Sequence, residues 1–366
     1  MARRIRALLC FALVCLLLAS CAPPVVPDPA APTAPREGED PNASLGLLYA
    51  HIPETDCYEI SGMGTCEDVD LVLPATYRSR PVVGVGPYAF YNRASVRSVV
   101  FPAGVARVGE YAFRNCRALE RADLPQGLLT VEKRAFQGCD ALTAVTFPQG
   151  MTGIGPAAFA NCAALSSVAL PEGLTDLGDS AFRECGSLSR VDLPGSLTGV
   201  GEYTFYNCTA LETVSLGNAL KQIGNSAFRG CGALKAVDVP ASVESIGDYA
   251  FLYCASLESV TLADGISEIG GYAFYGCKTL KTLALPDGLT EMKIGLVAYC
   301  DALTELTVPA SVTKIVQNAV YGCPALATVR YTGTVAQWNA MDRERGWDNH
   351  TENYTVVCAD GTVPRA

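Results

Sequence analysis

The sequence predicts a solenoid, which is a right-handed, β-rich stack of short coils with parallel strand ladders on one side and turns or short helical corners on the other. Two columns of residues that recur every 23 positions support this prediction. The first column consists of Phe90, Phe113, Phe136, Phe159, Phe182, Phe205, Phe228, Phe251 and Phe274, and is continued by Val297 and Val320. The second column lies three residues later and consists of Cys116, Cys139, Cys162, Cys185, Cys208, Cys231, Cys254, Cys277, Cys300 and Cys323. Such a period is typical of units that are unstable alone and bury their apolar side against the next unit.

Each 23-residue unit, called a rung below, contains the pattern of a short strand. In one rung Leu257 is followed by Val260 and Leu262, and this apolar-x-apolar spacing is typical of a strand with one buried face. In most rungs a proline such as Pro240 follows the strand. Proline ends the strand because it has no N–H to donate to the ladder. A glycine such as Gly270 comes next, where the chain needs a tight corner.

The rung resembles the BspA-type leucine-rich repeat, whose pattern is L-x-x-V-x-L-P-x-x-L-x-x-I-G-x-x-A-F-x-x-C. Residues 257–277 match it at Leu257, Val260, Leu262, Ile266, Ile269, Gly270, Ala273, Phe274 and Cys277. The resemblance covers about residues 86–331, with eleven repeats over 86–328. It implies a leucine-rich-repeat solenoid that binds a protein or glycan partner, such as host matrix or another cell. One departure is that Gly127 and Ser196 stand where the commonest leucine-rich repeats have Asn or Cys, so no asparagine ladder is expected there.

Residues 46–85 are predicted to form an N-terminal β cap, since a solenoid must close its ends. We expect a small hairpin with Gly62 and Gly64 at its turn. Cys57 and Cys66 flank that predicted turn. A disulfide between them is compatible with export, and two separate thiols are the alternative.

Residues 329–366 break the period and are predicted to form a C-terminal cap. This segment contains both tryptophans of the chain, Trp338 and Trp347. We expect them to plug the last rung, and a role in ligand binding is the alternative.

Residues 1–20 have the pattern of a lipoprotein signal peptide, with three arginines followed by an apolar run at 8–18 that is short for a membrane span. The next residues, Leu18 to Cys21, resemble the bacterial lipobox, which implies lipidation of Cys21. An ordinary signal peptide is the alternative. Residues 21–45 are then a lipidated cysteine and a flexible, Pro/Ala-rich tether. We therefore predict an exported protein, lipid-anchored to the bacterial membrane at the cell surface.

The sequence contains no recognisable catalytic motif. Its two histidines, His51 and His350, lie near opposite ends of the chain, which argues against a histidine-dependent triad or a His-rich metal site. The cysteine column lacks the closely spaced pairs of zinc sites, and its parallel side chains would form poor disulfides. We predict that it consists of small buried thiols. The net charge of -10 disfavours nucleic acid. We therefore predict no metal, no cofactor and no catalytic residues.

Two surfaces repeat along the predicted array and are candidate binding sites. The first is the outward face of the main strands, represented by Asp192, Ser215, Asp238 and Thr261. The second, the tyrosine ridge, lies beside the phenylalanine column and consists of Tyr203, Tyr206, Tyr249, Tyr272 and Tyr275. Tyrosine is favoured at binding sites because it buries a large area with few rotatable bonds. Packing between rungs is the alternative interpretation of the ridge.

These patterns together predict a non-catalytic protein of the cell surface that functions in adhesion or recognition. One alternative is a structural scaffold of the cell envelope that contacts other envelope components. A less favoured alternative is an extracytoplasmic hydrolase, because acidic residues are numerous but no pair stands out by its local context.

Overall fold

The computed structural model describes residues 42–364. The chain divides into two compact units, Met1–Leu165 and Ser166–Ala366. The predicted signal peptide and the predicted lipidation site, Cys21, lie outside the described residues, as does most of the predicted tether. Among residues 42–364, no helix is both long enough and apolar enough to span a bilayer.

The first unit contains short strands and turns. Its strands are β1 (Leu48–Ile52), β2 (Cys57–Gly62), β3 (Asp70–Val72), β4 (Thr76–Tyr77), β5 (Arg80–Val85), β6 (Ser98–Val100), β7 (Arg107–Val108), β8 (Arg121–Asp123), β9 (Thr130–Val131), β10 (Ala144–Thr146) and β11 (Gly153–Ile154). Two parallel ladders run through this unit, β3-β6-β8-β10 and β2-β5-β7-β9-β11. Arg121 pairs with Ala144 and Thr130 with Gly153, so each strand pairs with its counterpart one rung away.

The second unit repeats this arrangement. Its elements are β12 (Ser167–Ala169), β13 (Asp176–Leu177), β14 (Arg190–Asp192), β15 (Gly199–Val200), β16 (Thr213–Ser215), β17 (Gln222–Ile223), β18 (Ala236–Asp238), β19 (Ser245–Ile246), β20 (Ser259–Thr261), β21 (Glu268–Ile269), β22 (Thr282–Ala284), β23 (Glu291–Met292), β24 (Glu305–Val308), β25 (Lys314–Ile315), β26 (Thr328–Tyr331), α1 (Val335–Ala340), β27 (Asp342–Arg343), β28 (Thr355–Cys358) and β29 (Gly361–Pro364). Parallel ladders join β12-β14-β16-β18-β20 and β15-β17-β19-β21. Further ladders join β22-β24-β26-β28 and β23-β25-β27. The predicted parallel solenoid is confirmed in each unit.

The phenylalanine column forms the centre of the core. Phe205, Phe228, Phe251 and Phe274 are fully buried. Successive rings lie 5.4, 5.4 and 5.5 Å apart between centroids, and their planes are within 11° of parallel. Each ring therefore covers the ring of the next rung, which is why an identical residue recurs at each step.

The cysteine column is buried beside the phenylalanines, as predicted. Thiols of this column also make a contact that the sequence did not reveal. Cys231 donates from Sγ to the carbonyl of Phe205 at 3.2 Å, and Cys254 donates to the carbonyl of Phe228 at 3.2 Å. The acceptor belongs to the preceding rung. Cysteine thus combines a small apolar volume with a weak donor that links neighbouring rungs.

The turn that contains both columns, called the phenylalanine corner below, forms a backbone ladder of its own. Tyr203, Phe205 and Asn207 donate their N–H groups to carbonyls of the next rung at 3.0, 2.8 and 2.8 Å. The residues two positions before and two positions after the phenylalanine have positive φ, as in Tyr203 (55°) and Asn207 (55°). Within residues 42–364 these corners are turns, and the one helix is α1. Of the two predicted kinds of corner, the structure has the turn.

The N-terminal cap contains a hairpin, but its turn is not where the sequence analysis placed it. Strands β1 and β2 pair antiparallel, with Ile52 opposite Cys57, so the turn lies at 53–56 rather than at Gly62 and Gly64. Gly62 ends β2, whose other edge pairs parallel with β5 and starts the solenoid ladder. The prediction was wrong because the turn at 53–56 contains no glycine, and its positive φ falls on Asp56.

Cys57 and Cys66 are both buried in thiol form. The Sγ of Cys57 donates to the carbonyl of Thr55 at 3.4 Å. Burial raises the pKa of the Cys66 thiol. The disulfide between these two residues stays a prediction for the oxidised, exported chain.

The C-terminal cap extends both ladders and then ends them. Helix α1 starts with a capping box between Thr334 and Gln337. Trp338 on this helix is buried, with its ring 5.3 Å from Tyr331 and 6.0 Å from Trp347 between centroids. These contacts support the interpretation that the tryptophans plug the last rung. Strand β29 closes the cap by pairing antiparallel with β28.

Candidate functional site

The outward face of the strands presents its predicted residues in register. Asp192 lies opposite Ser215 and Asp238 lies opposite Thr261, and all four side chains are exposed. Thr261 donates from Oγ1 to Asp238 at 2.8 Å. Arg190 donates to both carboxylate oxygens of Asp192 at 2.9 and 3.0 Å. Hydrogen bonds within this face therefore engage the carboxylates of Asp192 and Asp238.

The tyrosine ridge forms a chain of contacts that runs from Tyr203 to Tyr275, with Arg229 between Tyr206 and Tyr249. Tyr203 and Tyr206 meet edge to face at 5.8 Å. The guanidinium groups of Arg183 and Arg229 lie 5.0 and 5.6 Å from the Tyr206 ring centre. Two cations thus occupy the surroundings of this ring, an arrangement that stabilises the corner through cation–π attraction.

Tyr249 and Tyr272 form the next part of the ridge. Their ring centroids are 5.2 Å apart and their planes differ by 4°. Arg229 lies 5.9 Å from the Tyr249 ring centre. Because these two faces cover each other, the pair behaves as packing between rungs.

Tyr275 contacts Tyr272 at 5.9 Å between ring centroids, and it also belongs to a further group of rings that the sequence analysis did not single out. We call this group the aromatic strip, and it consists of Tyr253, Tyr275, Tyr299, Tyr321 and His350. Successive ring centroids along the strip are 5.5, 5.1, 5.1 and 5.0 Å apart. Successive planes are turned by 57 to 78°. The first four rings come from four consecutive rungs, and the fifth comes from the cap.

Two rings of the strip occupy backbone positions that suit tyrosine poorly. Tyr253 and Tyr299 have φ of 60° and 54°, in the left-handed region where a bulky side chain is a genuine outlier. They are also 51% and 41% exposed. In other rungs this position is mostly Asn or Gly, namely Asn92, Asn115, Gly138, Asn161, Asn207, Gly230, Gly276 and Gly322. That column was the signal in the sequence that marks Tyr253 and Tyr299 as exceptional.

Glycine in the next rung makes room for each of these rings. A Cβ atom at Gly276 would lie 2.7 Å from Cδ1 of Tyr253, and one at Gly322 would lie 3.4 Å from Cδ1 of Tyr299. Tyrosine and glycine therefore alternate in this column from Tyr253 to Gly322. As a result Tyr275 and Tyr321, one position earlier in their rungs, supply the intervening rings.

The pKa values of two tyrosines of the strip, Tyr275 and Tyr299, are raised. Burial raises the pKa of Tyr275, and the neighbouring Tyr253 and Tyr299 raise it further. A hydrogen bond with Tyr321 raises the pKa of Tyr299, and burial adds to this shift. Tyr275 and Tyr299 thus keep neutral hydroxyls, which can both donate and accept hydrogen bonds.

Comparison with known proteins identifies the family. A family model described as a BspA type leucine rich repeat region, with six copies, matches residues 83–212 and residues 198–327. The chain belongs to this family. None of the curated proteins matches the BspA-type chain.

Several solved structures are similar to this BspA-type chain. A leucine-rich repeat protein of T. pallidum is 32% identical over 52% of this chain and 88% of its own, with a TM-score of 0.49. A leucine-rich repeat protein from Bacteroides ovatus is 25% identical over 85% and 98%, with a TM-score of 0.45. A leucine-rich cell surface protein from Faecalibacterium prausnitzii is 26% identical over 86% and 98%, with a TM-score of 0.46.

The BspA-type repeat also forms a polar groove of about 340 Å³ in the second unit. Its floor carries a ladder of side chains that sequence analysis missed. Asp179 accepts from the N–H of Glu202 at 2.8 Å, Asn225 accepts from Asp248 at 2.8 Å, and Asp248 accepts from Gly271 at 2.7 Å. These oxygens satisfy backbone donors of the next rung. In the described part of the chain, no cluster of three or more His, Cys, Asp or Glu side chains is arranged to hold a metal ion.

Proposed function

We propose that this BspA-type protein is an exported, lipid-anchored, non-catalytic receptor at the bacterial cell surface, where it recognises a protein or glycan. The observation that supports recognition is the aromatic strip, in which exposed tyrosines at Tyr253 and Tyr299 replace the Asn or Gly that most other rungs have at this left-handed position. A left-handed conformation costs a side-chain-bearing residue roughly 1–2 kcal/mol. Strain of this kind concentrates at functional sites.

The alternative, that these tyrosines only pack the corner, predicts a different environment. A packing residue gains stability by removing apolar area from water. Tyr253 and Tyr299 leave 51% and 41% of their surface exposed, so the gain is partial and the backbone cost remains. Asn115 in the same column bonds to Asn92 at 2.8 Å and shows that the fold does not need an aromatic ring there.

Export and anchoring depend on the N-terminal residues, which lie outside the described part of the chain. The full-length chain and a Cys21→Ala variant should be produced in a bacterium that processes lipoproteins. We expect a palmitate analogue to label the full-length chain and not the variant. We also expect a membrane-impermeant biotin reagent to label the full-length chain on intact cells.

The same cells test recognition when they are exposed to host extracellular matrix and to purified bacterial envelope. Retention on matrix, with loss of retention in the Cys21→Ala cells, supports a surface receptor. Biotin labelling only after lysis, together with binding to envelope alone, would contradict it and favour the envelope scaffold.

A further inference from the structure

The aromatic strip has the geometry of a site for a linear polymer. Parallel strands repeat roughly every 4.8 Å, and the five rings follow this repeat at 5.0 to 5.5 Å from centroid to centroid. Each rung therefore contributes one ring, alternately from the column of Tyr253 and Tyr299 and from the column of Tyr275 and Tyr321. A ligand that uses all five rings must itself repeat at about the same step, which a folded protein surface does not do.

The exposed rings of Tyr253 and Tyr299 favour a sugar polymer. An aromatic ring carries negative charge on its face, which attracts the polarised C–H groups on the apolar side of a pyranose. The rings of the strip meet at 57 to 78° rather than face to face. Such a contact places the edge of one ring against the face of its neighbour, whereas Tyr249 and Tyr272 cover each other face to face at 4°. Extended β-linked glycans advance by about one such step per sugar.

The surroundings of the strip select for a neutral chain. In the four rungs that carry the tyrosines, the positions two before and one and two after the column residue hold no charged residue. The same positions of earlier rungs carry Arg114, Arg134, Arg183 and Arg229. Next to the strip, Lys278 and Asp301 lie 4.0 Å apart and offset each other. The net charge of -10 repels polyanions.

From these observations we infer that the aromatic strip binds an extended, uncharged, β-linked polysaccharide along the direction of the rungs, with one sugar on each ring. The inference deepens the proposed surface-receptor function, on which it rests, by naming the class of partner. Neutral sugars suit this site because the tyrosine hydroxyls can exchange hydrogen bonds with sugar hydroxyls at the edges of the stacked faces.

The test is isothermal titration calorimetry of the full chain with oligomers of two to six sugars from cellulose, chitin and β-mannan. Since the strip has five rings, we expect affinity for at least one series to rise from the disaccharide to the pentasaccharide and then level off. An oligogalacturonate series serves as the anionic comparison and should bind at least about tenfold more weakly.

The variant Tyr253→Asn/Tyr299→Asn removes two rings and introduces a residue type that the corner accepts, because Asn92 and Asn115 occupy the same left-handed position. We expect it to keep the circular dichroism spectrum and to lose about tenfold in affinity for each ring. The matched control is Tyr88→Ser. Tyr88 is 54% exposed, has φ of 58° and stacks on Tyr111 at 4.8 Å, outside the strip. Its removal should leave glycan affinity unchanged.

Three results would overturn the inference. These are no binding of any neutral oligomer, wild-type affinity in the Tyr253→Asn/Tyr299→Asn variant, or equal binding of the anionic series. If neutral oligomers do not bind while intact cells still hold host matrix proteins, only the glycan assignment is lost. If the chain binds glycans but is not displayed on cells, the proposed surface location is wrong, and the assignment of the aromatic strip as a glycan site still holds.

Discussion

The phenylalanine corners of the two units have the same backbone conformation but present different side chains to solvent. In the first unit, Asn92 and Asn115 occupy left-handed positions and their side chains bond to each other at 2.8 Å. Tyr88 and Tyr111 nearby are stacked with planes 10° apart. In the second unit, Tyr253 and Tyr299 occupy the positions that correspond to these asparagines. The fold therefore accepts asparagine at this position and does not require the tyrosine rings.

Beneath this surface the two units have the same core. Phe113 and Phe136 stack at 5.1 Å with planes 2° apart, and Phe251 and Phe274 stack at 5.5 Å with planes 1° apart. Substitutions in a column that contributes to folding should therefore change stability by similar amounts in both units. Substitutions in a column that contributes to binding should have different effects in the two units.

The largest effect is expected from alkaline pH, which acts on the cysteines of both units. Burial raises the pKa of Cys116 and of Cys277 to about 12. Burial also raises the pKa of Cys139, Cys231 and Cys254 well above the ordinary thiol value. Between about pH 9 and 12 only the unfolded chain loses these protons, so stability present below pH 9 is lost as pH rises. In that pH range each thiol lowers the free energy of unfolding by about 1.4 kcal/mol per pH unit.

Urea unfolding at several pH values measures this effect. From pH 6 to 8 these thiols should leave the free energy of unfolding unchanged. By pH 10 their ionisation in the unfolded chain should lower it by several kcal/mol. A free energy that stays constant up to pH 10.5 would show that the column is not buried as thiol.

The next largest effect is expected from truncating the phenylalanine column. Phe113→Ala in the first unit and Phe251→Ala in the second should each lower the free energy of unfolding by about 3–5 kcal/mol, because each leaves a cavity between two stacked rings. Phe251→Leu is the control and should cost markedly less. A cost that is large in one unit and negligible in the other would break the comparison, since the two cores would then not be equivalent.

A smaller effect is expected at the thiol. Cys254→Ala removes the hydrogen bond to the Phe228 carbonyl, 3.2 Å long, and the volume of one buried sulfur. We expect a loss of about 1–2 kcal/mol in urea unfolding. Cys139→Ala in the first unit is the matched variant, because its thiol donates to the Phe113 carbonyl at 3.2 Å. Values that differ widely between the two would mean that this bond is not a general feature of the repeat.

The sequence predicted the repeat, the parallel ladders and the buried columns, because each follows from periodicity and apolar character alone. It did not predict the thiol-to-carbonyl bonds, since nothing in a column of cysteines identifies the acceptor. It placed the N-terminal turn at Gly62 and Gly64, because glycine is the usual marker of a turn, whereas the chain reverses at 53–56 with Asp56 at positive φ.

The candidate site was predicted only in part, for a geometric reason. Tyr275 was selected and grouped with Tyr249 and Tyr272 by position in the repeat, and its ring does lie 5.9 Å from that of Tyr272. The contacts of Tyr275 with the aromatic strip were not predicted. In the structure Tyr275 contacts Tyr253 and Tyr299 at 5.5 and 5.1 Å. Which rings meet depends on the two left-handed residues of each corner, and their φ values cannot be deduced from residue type when the residue is tyrosine.

The most direct test of the account is the free energy of unfolding of Tyr253→Asn/Tyr299→Asn in urea at pH 7. If these rings serve a ligand rather than the fold, replacing them with a residue that tolerates the left-handed conformation should leave stability unchanged or raise it by up to about 1 kcal/mol per site. A loss of more than about 1 kcal/mol per site would show that the rings are packing residues, and the binding role of the aromatic strip would be contradicted.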